Sequence, residues 1–362
     1  IKGQFVADTW GAGIDHLPYP QSVRESFKKF RDSLLRIDAE KRATELYNVS
    51  FSQFTQGYAP EVKLWWDTYG PSNWGAGVDD TAAKVAIDDM QYISGSNRKD
   101  IRTTLPGGLG AITQRLAELM QPHSDHMLLS ATTVAVAAQK HEVNVTFLRE
   151  GKLQTVSAKG VIMATPKFIT ARIVEGMPQK QREAIDQIQY IPYPVVNLIY
   201  DRPVFNLGYD TWCPGNTFCD VVVADWVVRN QAGYKQKYNI LTCYTPLSRE
   251  QRFTLLTDVG CRQIAANVLR DFQRLLPNTN VDPVEVHIYS RGHPVFMSMP
   301  GNYTQVLPLA RQSMERVFFA NTDSEGPIST TPGGIVAARR AVKEYSGMVA
   351  GQVASSAAHS ST

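Results

Sequence analysis

The chain is poor in the residue types that staple or metallate small folds. It has four cysteines in 362 residues. Cys213, Cys219, Cys243 and Cys261 are too widely spaced for a zinc knuckle and too few for a disulfide framework, so buried or free thiols are expected. His123 and His126 share a short spacing but lack further ligands nearby, which excludes a recognisable metal site. A net charge of +3 with no basic stripe leaves no footprint for nucleic acid. No apolar run approaches the ~20 residues of a membrane span. No signal peptide is visible, yet the first residue is Ile1 and processing would have removed one, so the compartment stays open. Also lacking is any Gly-x-Gly-x-x-Gly turn between a strand and a helix, the unit that holds a dinucleotide pyrophosphate. Gly11-Ala12-Gly13 runs into Ile14-Asp15-His16-Leu17-Pro18 rather than a helix, and Gly107-Gly108-Leu109-Gly110 has the wrong spacing.

What is present is ordinary for a globular protein. Hydrophobic residues make up 43% and charged ones 20%, which argues against disorder, and the length suffices for two sub-domains. Val23, Phe27, Phe30, Leu34 and Leu35 recur at helical spacing within residues 21–47. An aromatic stretch follows with Phe51, Phe54, Tyr58, Trp65, Trp66, Tyr69 and Trp74; it suits a core, or in part a substrate cage. Asp79-Asp80-Thr81 offers a helix start before residues 82–92. Strands are expected at 195–200, 220–228 (carrying Trp226), 239–244 and 284–290, around a helix at 257–275. The serine- and alanine-rich end, residues 351–362, is expected to be disordered. Asn48, Asn144 and Asn302 open glycosylation triplets.

Near the carboxyl end, Val317-Phe318-Phe319-Ala320-Asn321-Thr322-Asp323 reads as a strand closing on small and acidic residues. Thr331-Pro332-Gly333-Gly334-Ile335 then opens an alanine-rich helix, with Pro332 in the favoured first turn. Backbone N–H groups without side chains at the positive end of a helix dipole suit an electron-rich carbonyl or an anion. An ordinary strand–loop–helix unit of an α/β domain is the plain alternative.

This segment resembles the C-terminal flavin-binding segment of the FAD-dependent amine oxidase superfamily, the monoamine, polyamine and L-amino-acid oxidases. Asn321 stands where that family usually has glycine, Asp323 stands near its acidic position, and Ala338 replaces a helix glycine. Leu105-Pro106-Gly107-Gly108-Leu109-Gly110 resembles the family's glycine loop and helix. Val143-Asn144-Val145-Thr146-Phe147, the turn at Glu150-Gly151, and Val161-Ile162-Met163-Ala164-Thr165-Pro166 resemble its hairpin and the strand beside the flavin. Tyr193-Pro194-Val195-Val196-Asn197-Leu198-Ile199-Tyr200 is similar to the strand that begins its substrate sheet. The resemblance covers residues 100 to 345 and implies an α/β (α+β) two-domain flavin amine oxidase-like fold without its N-terminal Rossmann unit. The implied division is 1–100, helical part of the substrate domain; 101–170, FAD-binding segment; 171–290, mixed substrate sheet; and 291–350, C-terminal FAD-binding segment. Gly107, Gly108, Val134, Asp323, Gly333, Gly334 and Ile335 would then bind FAD, non-covalently because no cysteine lies in the C-terminal flavin segment. The missing glycine turn would come from an N-terminal FAD-binding polypeptide or segment, cleaved off or separately encoded.

The same resemblance shapes the chemistry. The lysine that many members place at the start of the substrate strand falls on Val195, and Lys180 is too far upstream. The segment before the C-terminal flavin motif carries Ser290-Arg291-Gly292-His293-Pro294, with Tyr289 the nearest aromatic. His293 is the candidate acid–base group, and Arg291 a clamp for an acidic group of a small-molecule substrate. A loop histidine and a surface arginine are the plain alternatives. The implied function is hydride transfer from substrate to flavin, with two alternatives. One is a desaturase- or protoporphyrinogen-oxidase-like enzyme on an apolar substrate, and the other a non-catalytic scaffold subunit.

Overall fold

The computed structural model describes residues 1–94, 105, 108–230, 233, 235 and 237–359. They form two units, each discontinuous in sequence: Ile1–Gly108 with Tyr190–Pro300, and Leu109–Gln189 with Gly301–Thr362. The divisions fall at 189/190 and 300/301 rather than at the 170/171 and 290/291 expected from sequence.

In the first unit, five antiparallel strands lie in the order Glu285–Tyr289, Val195–Tyr200, Asn239–Tyr244, Asp220–Val223 and Asp210–Trp212. Side chains alternate across the sheet. One face, with Val196, Leu198, Val221, Val223 and Leu241, packs on Ile264, Val268 and Phe272 of the helix Asp258–Leu275. That helix starts where Thr257 accepts the Gly260 amide, an N-cap. The strand expected at 220–228 stops at Val223. Asp225 there pairs with Arg229 at 3.0 Å, and a short 3₁₀ turn over Val228–Asn230 follows, so Trp226 lies in a turn.

The helices Gln21–Leu35, Pro60–Trp74 and Ala83–Ser94 complete this unit. The helical pattern of 21–47 breaks after Leu35 and resumes only as the single turn Ala43–Leu46. Trp66, Trp74, Phe27, Phe30 and Phe51 are fully buried. Trp66 stacks on Trp74 at 5.4 Å and meets Phe51 edge-on at the same separation, so most of the aromatic stretch is core. Helix Pro60–Trp74 ends on Gly75 at φ 75°. A Cβ there would also come within 2.9 Å of the Phe296 carbonyl, so glycine is required twice over.

In the second unit, Thr132–Ala138, Val143–Arg149 and Lys152–Ala158 form an antiparallel sheet. Its hairpin turns on Glu150 at φ 52° and Gly151 at φ 74°, the left-handed pair a two-residue hairpin favours. A parallel pair joins Val161–Met163 to Val317–Phe319. The chain end departs from expectation: one helix runs Thr331–His359 where residues 351–362 were expected to be disordered. No helix among the described residues is long and apolar enough to cross a membrane.

Candidate active site

In the second unit the parallel strands deliver two loops to their carboxyl ends. Asn321 follows Val317–Phe319 at φ 85°, ψ 160°, a region all but reserved for glycine. Its side-chain oxygen accepts the Thr322 amide at 2.6 Å, which explains how asparagine fills a place that resembles a glycine position. Asp323 is buried; its Oδ2 accepts the Lys167 amide at 2.8 Å and its Oδ1 accepts Lys167 Nζ at 3.1 Å. Lys167, 0% exposed, also donates to the Ala320 carbonyl at 3.1 Å and to Ser324 Oγ. Burial outweighs the Asp323 carboxylate and holds this ammonium below the ordinary lysine range. The Asp323 carboxylate thus faces Lys167, a residue that sequence reasoning missed. The only signal was a lysine directly after Ala164-Thr165-Pro166, at the first turn of helix Lys167–Ile173.

Arg340 braces the same loop from the long helix. It donates to Glu325 Oε2 at 2.8 Å, to Glu344 Oε1 at 2.9 Å and to the Phe319 carbonyl at 2.6 Å. At the helix start, the Gly333 amide donates to Thr330 Oγ1 at 3.3 Å and the Gly334 amide to the Thr330 carbonyl at 3.1 Å. These two N–H groups therefore have partners within the chain. A Cβ would meet Thr330 Oγ1 at 3.4 Å at Gly333 and Thr322 Cγ2 at 3.5 Å at Gly334, ordinary van der Waals contact, so the helix start is closely packed yet bare of side chains. Ile335 is exposed in the next turn. Val134 sits at a bulge, where the register shifts between Thr133 and Ala135, so its backbone falls outside the ladder pairing. Gly108 turns the chain at φ 78°, and Gly107 lies outside the described residues. Within this unit the bare helix start adjoins Thr322 at the end of strand Val317–Phe319, an exposed stretch of backbone of the kind a planar cofactor would need. Asp323 fits as a brace through Lys167.

In the first unit, Val295–Phe296 pairs with Tyr190–Ile191, placing the His293 ring edge-on to Tyr190 at 6.4 Å. Arg291 is exposed, and its carbonyl accepts the Tyr193 amide at 2.8 Å. Arg252, also missed from sequence, clamps this segment by donating to the Gly292 carbonyl at 2.9 Å and to the Tyr190 carbonyl. Val195 begins its strand between Tyr244 and Tyr289. Elsewhere in this unit is a cavity of about 600 Å³. Trp65, Tyr69 and Trp212 line it with the carboxylates of Asp8, Asp89 and Asp210, and neither Arg291 nor His293 does. Among the described residues no lysine, arginine or histidine lines it. Trp212 lies 4.5 Å from Tyr69 between ring centres. Asp8 accepts the Ala12 amide at 2.8 Å, and Asp89 accepts Trp74 Nε1 at 2.7 Å. Aromatic faces and acidic side chains attract a cation. Among the described residues no group of acidic, histidine or cysteine side chains is placed to hold a metal ion.

Solved structures share this architecture. An engineered putrescine oxidase matches with a TM-score of 0.70 at 16% identity, over 92% of this chain and 77% of its own. Cyclohexylamine oxidase from Brevibacterium oxydans matches with a TM-score of 0.63 at 16% identity, over 92% and 76%. The fold is thus the mixed helix-and-sheet fold of the flavin amine oxidases. Among curated proteins, oxidoreductase PigB of a Serratia species is 24% identical over an alignment of 270 residues that covers 69% of this chain. The chain spans 38% of that relative's length. The sequence profile of the flavin containing amine oxidoreductases matches residues 3–344, nearly the whole chain, and the chain belongs to that family.

Proposed function

We propose that this chain is the substrate-recognising and flavin-cradling portion of an FAD-dependent oxidoreductase that takes a hydride from the carbon bearing an amine. The cavity carries this reading: three carboxylates among aromatic rings, with no basic side chain lining it among the described residues, suit an amine that arrives as a cation. FAD, when bound, supplies the hydride acceptor. Val134, Gly333, Gly334 and Ile335 would hold it, the bare helix start and the bulge offering backbone. Lys167 and Asp323 hold the two strand ends in register beneath that cradle. His293 is the group proposed to hold a proton, and Arg291 the one proposed to meet an acidic substituent.

The glycine turn for the pyrophosphate would come from a further segment, on this polypeptide or another. Support comes from the helix Gly110–Met120, none of whose side chains is buried; Leu116 and Leu119 are both 57% exposed. Val195 in place of lysine supports the second reading, an enzyme acting on a less polar substrate. Anaerobic mixing of the flavin-loaded protein with a panel of amines tests the first. Bleaching of the flavin bands supports amine oxidation, and unchanged bands with every amine refute it.

A further inference from the structure

Behind the cavity wall lies a buried acid that none of the roles above uses. Asp220 is 4% exposed. It stands directly across the hairpin from Trp212, while Asp210 stands across from Val222. Period-two alternation therefore puts Asp210, Trp212 and Asp220 on one face, the two carboxylates diagonal to each other at about 7–8 Å between backbones. That face meets helix Pro60–Trp74, whose Ser72 Oγ lies 3.1 Å from Asp220 Oδ1. Among the described residues this is the only hydrogen bond to the Asp220 carboxylate, and no lysine, arginine or histidine forms an ion pair with it.

Among the described residues, the groups around Asp220 are acids or neutral. The helix presents Ser72 and Tyr69, the preceding segment Tyr193, the adjacent strand Tyr244, and the hairpin Asp210, Tyr209, Cys213 and Cys219. Burial first, then the Asp210 carboxylate, pushes Asp220 well above the ordinary carboxylate range. Its hydrogen-bond chain runs equally well in two senses. With Asp220 ionised, Ser72 donates to it and Tyr193 Oη, 2.6 Å from Ser72 Oγ, donates to Ser72. With Asp220 protonated, Asp220 donates to Ser72 and Ser72 to Tyr193, which turns its own proton to the Ser72 carbonyl at 3.4 Å. Neither state leaves a hydroxyl stranded, so the hydrogen bonds permit both, and burial with the Asp210 charge sets what ionisation costs.

We propose that Asp220 and Asp210 form a proton-exchanging acid pair behind the cavity wall: a cation seated against Trp212 and Tyr69 draws a second negative charge onto the pair. The Asp220 O–H bond breaks and its proton passes to solvent. This rests on the reading of the cavity as the site for an amine cation. Its consequence is that cation affinity rises with pH, approaching about tenfold per unit while Asp220 is protonated in the empty cavity.

The test uses tetraethylammonium, which has no exchangeable proton, and the flavin-loaded protein. Calorimetric titration in buffers of different ionisation enthalpy should show about one proton released per cation near neutral pH. Asp220→Asn should bind the cation with none released. The infrared carbonyl band of a protonated carboxylic acid should be present in the cation-free protein, fade on cation addition, and be missing from Asp220→Asn. Cation binding without proton release, or no such band in the wild-type protein at neutral pH, overturns the proposal even if the variant fails to fold. A band that persists in a protein unable to bind the cation overturns the cavity reading instead, and the coupling with it.

Discussion

Replacing Lys167 by methionine is the most severe test of the strand-end clip. The substitution nearly preserves length and removes the ammonium, so that Asp323, 1% exposed, keeps the Lys167 amide but loses Nζ. The Ala320 carbonyl also loses its Nζ donor. Removing one partner of a buried ion pair costs about 3–5 kcal/mol, because a charge remains without compensation. With a urea slope of about 2 kcal/mol per molar, that lowers the unfolding midpoint by about 1.5–2.5 M. Lys167→Met combined with Asp323→Leu removes both charges, and such a pair of apolar replacements is commonly neutral or stabilising by about 1–4 kcal/mol. The assay is urea denaturation of both variants, followed by tryptophan fluorescence and far-UV circular dichroism. The expected order places the single variant lowest and the double variant well above it. A single variant that loses less than about 1 kcal/mol, the scale of an exposed pair, would refute the argument that this pair is desolvated.

Four further outcomes follow from particular residues. Gly334→Val should lower flavin content at saturating FAD, because a branched side chain would cover backbone proposed to face the flavin; unchanged content and spectrum would remove Gly334 from the cradle. Asn321→Gly should exceed Asn321→Ala in stability by at least about 1 kcal/mol, because alanine keeps the backbone strain and loses the bond to Thr322; equal midpoints would contradict this. His293→Ala should keep its flavin and slow anaerobic reduction by about 10²-fold or more, whereas wild-type rates in rapid mixing would return His293 to a structural role. Asp220, held above its unfolded value of 3.8, binds more protons folded than unfolded between that value and its raised one. Stability should fall as pH rises through that window, and Asp220→Asn should flatten the fall; parallel pH profiles of the two midpoints would count against a buried acid.

Local chemistry made much of this fold legible. β-Branched runs marked Val195–Tyr200 and Asn239–Tyr244, Glu150-Gly151 marked a hairpin, and amphipathic spacing marked the helix Asp258–Leu275. Asn321 was legible as an odd residue in a glycine-like place, and its positive φ supplies the reason. What stayed hidden depends on distance along the chain. Lys167 and Asp323 are 156 positions apart, and neither announces the other. The cavity gathers residues from 1–10, 65–73, 89–93 and 207–212, so no local pattern contains it. Arg252 donates only to backbone carbonyls, which leave no trace in side-chain identity. The strand expected to continue through Trp226 stops because the Trp226 amide turns back to the Val223 carbonyl, a local turn that propensities do not register.

The parallel pairing of Val161–Met163 with Val317–Phe319 carries a consequence for biosynthesis. At roughly 5–20 residues per second, the later strand leaves the ribosome about 10–30 seconds after the earlier one. Throughout that interval the first strand has neither its partner nor the Asp323 that Lys167 awaits. Residues 190–300, which belong to the other unit, emerge in between and have time to fold first. A nascent chain stalled before residue 317 should therefore be the species that chaperones hold and proteases find.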